Sequence, residues 1–249
     1  MPAAPVGSAP RSSARRHGFT LIELLVVIAI ISILASITMP AVLQAMQESQ
    51  KAHCKSKLAQ LGHGLAAYSA NYMALLPPFG YYRPDMSYPY QAPFWSHTLS
   101  AYLYPGATRT EALELACRCP VWTKAGSSYG KGYTCNYGNV FRYYAPGRTG
   151  NGPLHGQGSM QRTEIRRPSG VMLLMDGDQG YCYTPIVWKR SRDLDGDGIV
   201  DTHASTPIYN GGAPFRHGAA CNAVFADGHV RQVWARDWLT DDLLWDPFQ

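Results

Sequence analysis

The chain has 249 residues, of which 46% are apolar and 16% charged, a balance that supports a packed core and excludes wholesale disorder. Its 24 glycines and 18 prolines show no period, which excludes collagen-like and low-complexity repeats. The formal net charge is +5, but Arg11, Arg15 and Arg16 all lie in the first 18 residues, where there is no Asp or Glu. The remainder is close to neutral, so charge gives no reason to expect nucleic acid as a partner.

Residues 1–18 are rich in Pro, Ala and Ser, turn basic toward their end, and show no periodicity. Residues 19–39, FTLIELLVVIAIISILASITM, hold 16 apolar residues out of 21, unbroken from Leu24 to Ile31. At about 1.5 Å per residue, a helix over this segment spans roughly 30 Å, the thickness of a bilayer core. The arginines before it favour a cytoplasmic N-terminus, with the rest of the chain exported. A secretory signal has a shorter apolar core and a small-residue cleavage site after it; here the run is longer and Pro40 follows. Glu23 places a carboxylate near the start of the segment, which is costly unless it reaches the interface or finds a partner.

The string RRHGFTLIELLVVIAII closely resembles the prepilin signal of type IV pilins and type II secretion pseudopilins. The resemblance implies cleavage by a prepilin peptidase between Gly18 and Phe19, N-methylation of Phe19, and residence in the inner membrane with a single pass. Glu23 takes the place of the family's glutamate at the fifth mature position, and Pro40 matches the proline that often follows the membrane run. The implied partners are the peptidase, other pilin or pseudopilin subunits, and an inner-membrane assembly platform. A buried carboxylate needs a cation, and the methylated Phe19 amino group of an adjacent copy would supply one. Such a pair would set register between subunits, as buried polar residues do in coiled coils.

Beyond Pro40, apolar or small residues recur at Val42, Leu43, Met46, Cys54, Leu58, Leu61, Leu65, Tyr68, Tyr72 and Leu75, mostly three or four positions apart, with Gln50 filling the one longer gap. This periodicity predicts a single helix over 20–76. Gly62 and Gly64 weaken it locally, and Pro77-Pro78 stops it. Residues 79–110 are rich in Tyr, Pro, Phe and Trp and read as a loop-rich segment whose rings cover the helix, rather than as a platform for sugars or peptides. Strands are predicted at Val171–Met175, Tyr181–Trp188, Cys221–Ala226 and Val230–Trp234, from their Val, Ile, Tyr, Phe and Trp content. Asp227-Gly228 between the last two is a hairpin turn signal. The Gly-rich stretch 125–160 reads as long loops. One helix followed by strands predicts an α+β fold: a long N-terminal helix packed on a C-terminal antiparallel sheet. The expected division is a leader over 1–18, a transmembrane helix over 19–39, its amphipathic continuation over 40–76, and an exported globular domain over 77–249.

In DLDGDGIVD, Asp193, Asp195 and Asp197 alternate and Gly198 follows, the opening of a calcium loop. Ile199 would offer its backbone carbonyl, and Asp201 stands at the ninth position, a further ligand site. The twelfth position is Ala204 rather than a bidentate Glu, so the loop is EF-hand-like or thrombospondin-type-3-like and not an EF-hand. Four carboxylates within nine residues repel one another without a cation, so calcium is the expected cofactor. The family's major pseudopilins also carry a calcium site in their C-terminal loops.

RHGAACNAVFADGHV, with His217, nine residues and then Asp227-Gly228, resembles the His-x9-Asp-Gly motif of a large group of bacterial prepilin-like proteins. Cys119-Pro120, Ser128-Tyr129, Arg167-Pro168-Ser169 and Met175-Asp176-Gly177 follow that group's order. A structural role is expected: His217 at a strand entry, Asp227-Gly228 at the turn. The competing reading is a catalytic His217–Asp227 pair. Gly126-x-Ser128-x-Gly130 formally matches a nucleophile elbow, but its flanks are not strand and helix. Cys117-x-Cys119 with Cys135 hints at zinc without the usual second pair. Disulfides are the better expectation for six cysteines in an exported domain, Cys117 or Cys119 with Cys135 and Cys182 with Cys221, among 15 connectivities; Cys54, on the helix, is expected free. The sequence therefore reads as a structural pilus or pseudopilus subunit and not an enzyme. The alternative is a membrane-anchored, calcium-dependent extracellular binding module or enzyme that uses the prepilin signal for insertion.

Overall fold

The computed structural model describes residues 20–82, 90–121, 132–147, 154–177, 180–182, 212–213 and 215–249. It has the expected α+β architecture, a long N-terminal helix followed by a mainly antiparallel sheet. Helix α1 runs Leu21–Asn71 and continues through Pro40, which has no N–H to give the preceding turn. The chain divides into two units between Gln47 and Glu48. In the first, every large apolar side chain from Leu21 to Met46 is at least 45% exposed. A helix apolar on all sides needs an environment other than water.

The second unit starts at Glu48 and contains the rest of α1. Here Cys54, Leu58, Leu61 and Leu65 form one fully buried stripe at helical spacing. Gly62 and Gly64 lie on the same stretch because neighbours come too close for a side chain. A Cβ at 62 would stand 2.6 Å from Val224 Cγ2, and one at 64 would stand 2.8 Å from Leu103 Cδ2. The helix ends at Asn71, short of the prolines expected to stop it. The cause is local: Met73 and Ala74 take left-handed φ values of 50° and 64°, and the Ala74 N–H turns back to the Ser69 carbonyl at 2.8 Å.

Among the described residues, the larger sheet has five strands in the order β7-β3-β6-β8-β9. They are β3 (Tyr133–Asn136), β6 (Met172–Asp176), β7 (Tyr181–Cys182), β8 (Ala220–Phe225) and β9 (Val230–Trp234). All neighbours are antiparallel except β3 and β7. Every residue of β6 and β8 is buried, because both faces of the sheet are covered. One face packs Val171, Leu173 and Val224 with the α1 stripe. The other packs Met172, Met175, Cys221, Ala223 and Phe225 against Trp238, Leu239, Leu244 and Trp245 of the C-terminal segment. That segment is a short helix, α4 (Ala235–Thr240), and a 3-10 turn (Asp242–Leu244). A smaller sheet, β2-β1-β4-β5, joins β1 (Gly80–Tyr82), β2 (Tyr90–Gln91), β4 (Tyr143–Tyr144) and β5 (Leu154–His155).

Two expectations need correction. The stretch 125–160 is not only loop: β3, β4 and β5 lie in it, and β3 sits beside the central strand β6. Its four residues, YTCN, are all buried; they alternate apolar and polar, but the run is too short among its glycines to stand out from a loop. The aromatic segment 79–110 also contains a helix, α2 (Trp95–Leu103), followed by α3 (Arg109–Cys117). Its rings do serve the core. Phe79 meets Phe94, Tyr137, Tyr143 and Tyr181 at centroid distances of 4.6 to 5.8 Å, and Trp95 is fully buried.

Candidate functional site

Two regions carry the residues singled out by sequence, and the first is the start of α1. Thr20 caps the helix: its hydroxyl accepts from the Glu23 N–H at 3.3 Å. Glu23 Oε2 in turn accepts from the Thr20 N–H and hydroxyl, both at 2.8 Å. This reciprocal capping box satisfies helix-end donors that a bilayer cannot. Oε1 takes no part in it. The helix behind it is long and apolar enough to cross a membrane. Gly18 and Phe19 lie outside the described residues.

Residues 13–39 match the prokaryotic N-terminal methylation motif. The motif and the apolar helix support a type IV pilin-like precursor, a substrate of prepilin peptidase with a membrane-associated N-terminus. The match ends at residue 39 and does not extend to the globular unit. No curated protein and no solved structure matches the chain.

The second region lies where α1 meets the large sheet of the globular unit. Cys54 and Cys119 form a disulfide with Cα atoms 5.3 Å apart. This overturns two expectations: Cys54 is not free, and neither Cys119, bonded to Cys54, nor Cys117, a free thiol, pairs with Cys135. Cys54 lies on the buried stripe of α1, which carries it to the end of α3. Cys135 instead points its thiol at the Gly180 carbonyl, 3.4 Å away. Cys117 is a buried free thiol, pushed up to about 12 by burial, so it stays protonated and unreactive. The Cys182 side chain lies outside the described residues.

His217 stands just before β8, where its N–H donates to the Ala220 carbonyl at 3.0 Å. Its ring is buried and lies within 4.8 Å of both cysteine sulfurs. His217 Nε2 is 3.2 Å from Asp176 Oδ2, a close approach that lacks the alignment of a hydrogen bond. Asp176 Oδ2 accepts from the Asn222 N–H at 2.6 Å, while Oδ1 has no hydrogen-bond partner among the described residues. Opposite Asp176 in the β3–β6 ladder is Tyr133, whose hydroxyl donates to the Cys54 carbonyl at 3.1 Å. Burial raises the Tyr133 phenol far above its usual range, and the Asp176 charge adds to the shift.

Asp227 and Gly228 are elsewhere, in the turn between β8 and β9. Gly228 has a φ of 97°, which a residue with a side chain adopts only under strain. Burial nudges the Asp227 carboxyl upward, but hydrogen bonds from the His229 N–H and ring, at 3.1 and 2.6 Å, outweigh it and hold the acid low. Thus the His217 ring lies against Asp176, and Asp227 pairs with His229; the structure does not assemble a His217–Asp227 couple. The open groove beside Asp227, about 390 Å³, is lined mostly by small residues. Its Arg162 is engaged with the Ala226 carbonyl at 2.6 and 3.2 Å. Asp193, Asp195, Asp197, Ile199 and Asp201 lie outside the described residues. Sequence reasoning missed Asp176 as the partner of His217, although Met175-Asp176-Gly177 had been marked as a landmark.

Proposed function

We propose that the chain is a structural subunit of a type IV pilus or type II secretion pseudopilus, made as a precursor and anchored by α1, and not an enzyme. One observation carries the reading: a methylation motif opens directly onto a helix whose first half shows apolar side chains on every side. Such a surface suits either of two environments, lipid before assembly and a bundle of like helices after it. A helix of this kind exchanges one for the other with little hydrophobic cost, because lipid tails are as apolar as leucine. The register then has to come from something polar. Glu23 supplies it: Oε2 caps its own helix and Oε1 is left to meet the methylated Phe19 amine of an adjacent copy. The partners on this reading are the peptidase, neighbouring subunits and an inner-membrane platform. The globular unit is exported, and the 193–201 loop takes calcium.

Glu23→Val tests the assembly step. Membrane insertion should be intact or improved, since a charge leaves the apolar segment. In competition with wild type, the variant should be depleted from filaments. Equal incorporation would mean that Glu23 does not set the register.

A further inference from the structure

We propose that the reduced chain binds one zinc ion between Cys54, Cys119 and His217, with Asp176 closing the shell, at the place the disulfide occupies when oxidised. Three independent parts of the chain converge there: α1, the end of α3, and the entry to β8. One donor atom from each of Cys54, Cys119 and His217 lies within 4.8 Å of the other two. Around a tetrahedral zinc with Zn–S of about 2.3 Å and Zn–N of about 2.0 Å, ligand atoms stand roughly 3.3–3.8 Å apart. The donors of Cys54, Cys119 and His217 therefore need adjustments of roughly 1–1.5 Å, and Asp176, which lies outside that group of three, has to swing further to reach the metal. Cysteine Cα atoms 5.3 Å apart allow both a disulfide and two sulfurs on one metal.

A second observation points to a cation. Among the described residues, His217 Nε2 and Asp176 Oδ1 are both buried without a hydrogen-bond partner, on side chains 1% and 0% exposed. Buried polar atoms are seldom left in this state, and each one costs free energy. The 3.2 Å between His217 Nε2 and Asp176 Oδ2 is poorly aligned for a hydrogen bond but close to the spacing of two ligands on one zinc. Two cysteines, a histidine and a carboxylate suit zinc, and two thiolates and an aspartate bring enough negative charge to balance and exceed the ion's. The binding step is two thiols plus Zn²⁺ giving a zinc dithiolate and two protons. The disulfide and the metal exclude one another, so the site is open only in the reduced chain.

The test uses the full chain in detergent, with cobalt as a spectroscopic stand-in for zinc. A water-soluble phosphine reduces the disulfide: it takes oxygen from water, becomes the phosphine oxide, and leaves two thiols. Under anaerobic conditions the reduced chain should take one cobalt per chain, with thiolate-to-metal charge-transfer bands and tetrahedral ligand-field bands that zinc abolishes. Cys119→Ser and His217→Ala should lose the tetrahedral spectrum. Asp176→Asn should keep the thiolate bands but weaken binding at least about tenfold. Cys117→Ser should bind as wild type does, which separates this site from the neighbouring buried thiol. Circular dichroism on the same samples shows whether each variant is folded. A folded, reduced wild-type chain without the thiolate bands would overturn the proposal. So would equal binding by the oxidised chain, or loss of the bands in Cys117→Ser.

Discussion

Gly62→Ala and Gly64→Ala are a matched pair whose effects should differ in sign. In an ordinary helix, replacing Gly by Ala stabilises by about 1 kcal/mol. At 62 the added Cβ stands 2.6 Å from Val224 Cγ2, against about 3.5–4.0 Å for a normal carbon contact. Either the helix or the sheet must therefore yield by about 1 Å. Val224 is fully buried, and its strand is paired on both sides, with β6 and β9. Overpacking of such a site costs about 1–3 kcal/mol, so the net effect at 62 is a loss of about 0–2 kcal/mol. At 64 the obstacle is the end of Leu103, half-buried at the last turn of α2. Leu103 rotates aside, and most of the helix gain of about 1 kcal/mol survives. In thermal unfolding of the detergent-solubilised chain, followed by near-UV circular dichroism, about 1 kcal/mol corresponds to roughly 2–4 °C. Gly64→Ala should raise Tm by that amount and Gly62→Ala should lower it. If Gly62→Ala raised Tm as much as Gly64→Ala, the close approach of α1 to β8 would be wrong.

Reducing the Cys54–Cys119 disulfide, or replacing Cys119 by Ser, opens a link between residues 65 apart in sequence. Chain entropy puts its contribution at about 4 kcal/mol, so Tm measured with chelator present should fall by roughly 8–16 °C; an unchanged Tm would mean that the bond does not form. Cys117, raised to about 12 by burial, should resist alkylation at pH 8 in the native chain and react once denatured, as read by peptide mass spectrometry. Rapid native labelling would place that thiol at the surface. For the acidic loop, calcium should raise Tm, magnesium should do so weakly, and Asp195→Ala with Asp197→Ala should abolish the rise. With Kd of about 0.1–1 mM and a few millimolar calcium, the gain is roughly 1–2 kcal/mol. Equal melting with calcium and with chelator would remove the metal from the account.

The elements legible in sequence were those whose signal is local. The apolar run after Arg15-Arg16 needs only its own residues to fix a helix, and β6, β8 and β9 announce themselves by their branched and aromatic content. Helix α3 had a readable start as well: Thr108 and Glu111 form a capping box, a pattern visible as Thr-x-x-Glu. Strand β3 was not readable because its alternating YTCN is only four residues long and is bounded by glycine-rich sequence. The candidate site was legible only in pieces. His217 and Met175-Asp176-Gly177 were both marked, but their meeting depends on β6 lying beside β8. Cys54 fell on the apolar stripe that predicted the buried face, but burial does not separate a disulfide from a free thiol, as buried Cys117 shows. The pairing of Cys54 with Cys119 is tertiary, set by α3 ending over α1, and no spacing encodes it.

The central claim concerns the N-terminus, and one measurement addresses it directly. The chain is produced with and without a prepilin peptidase, recovered from the membrane fraction, and its N-terminal peptide identified by mass spectrometry. The account predicts loss of residues 1–18 and a methylated Phe19, only where the peptidase is present. An intact leader with the peptidase present, or cleavage after residue 39, would contradict it.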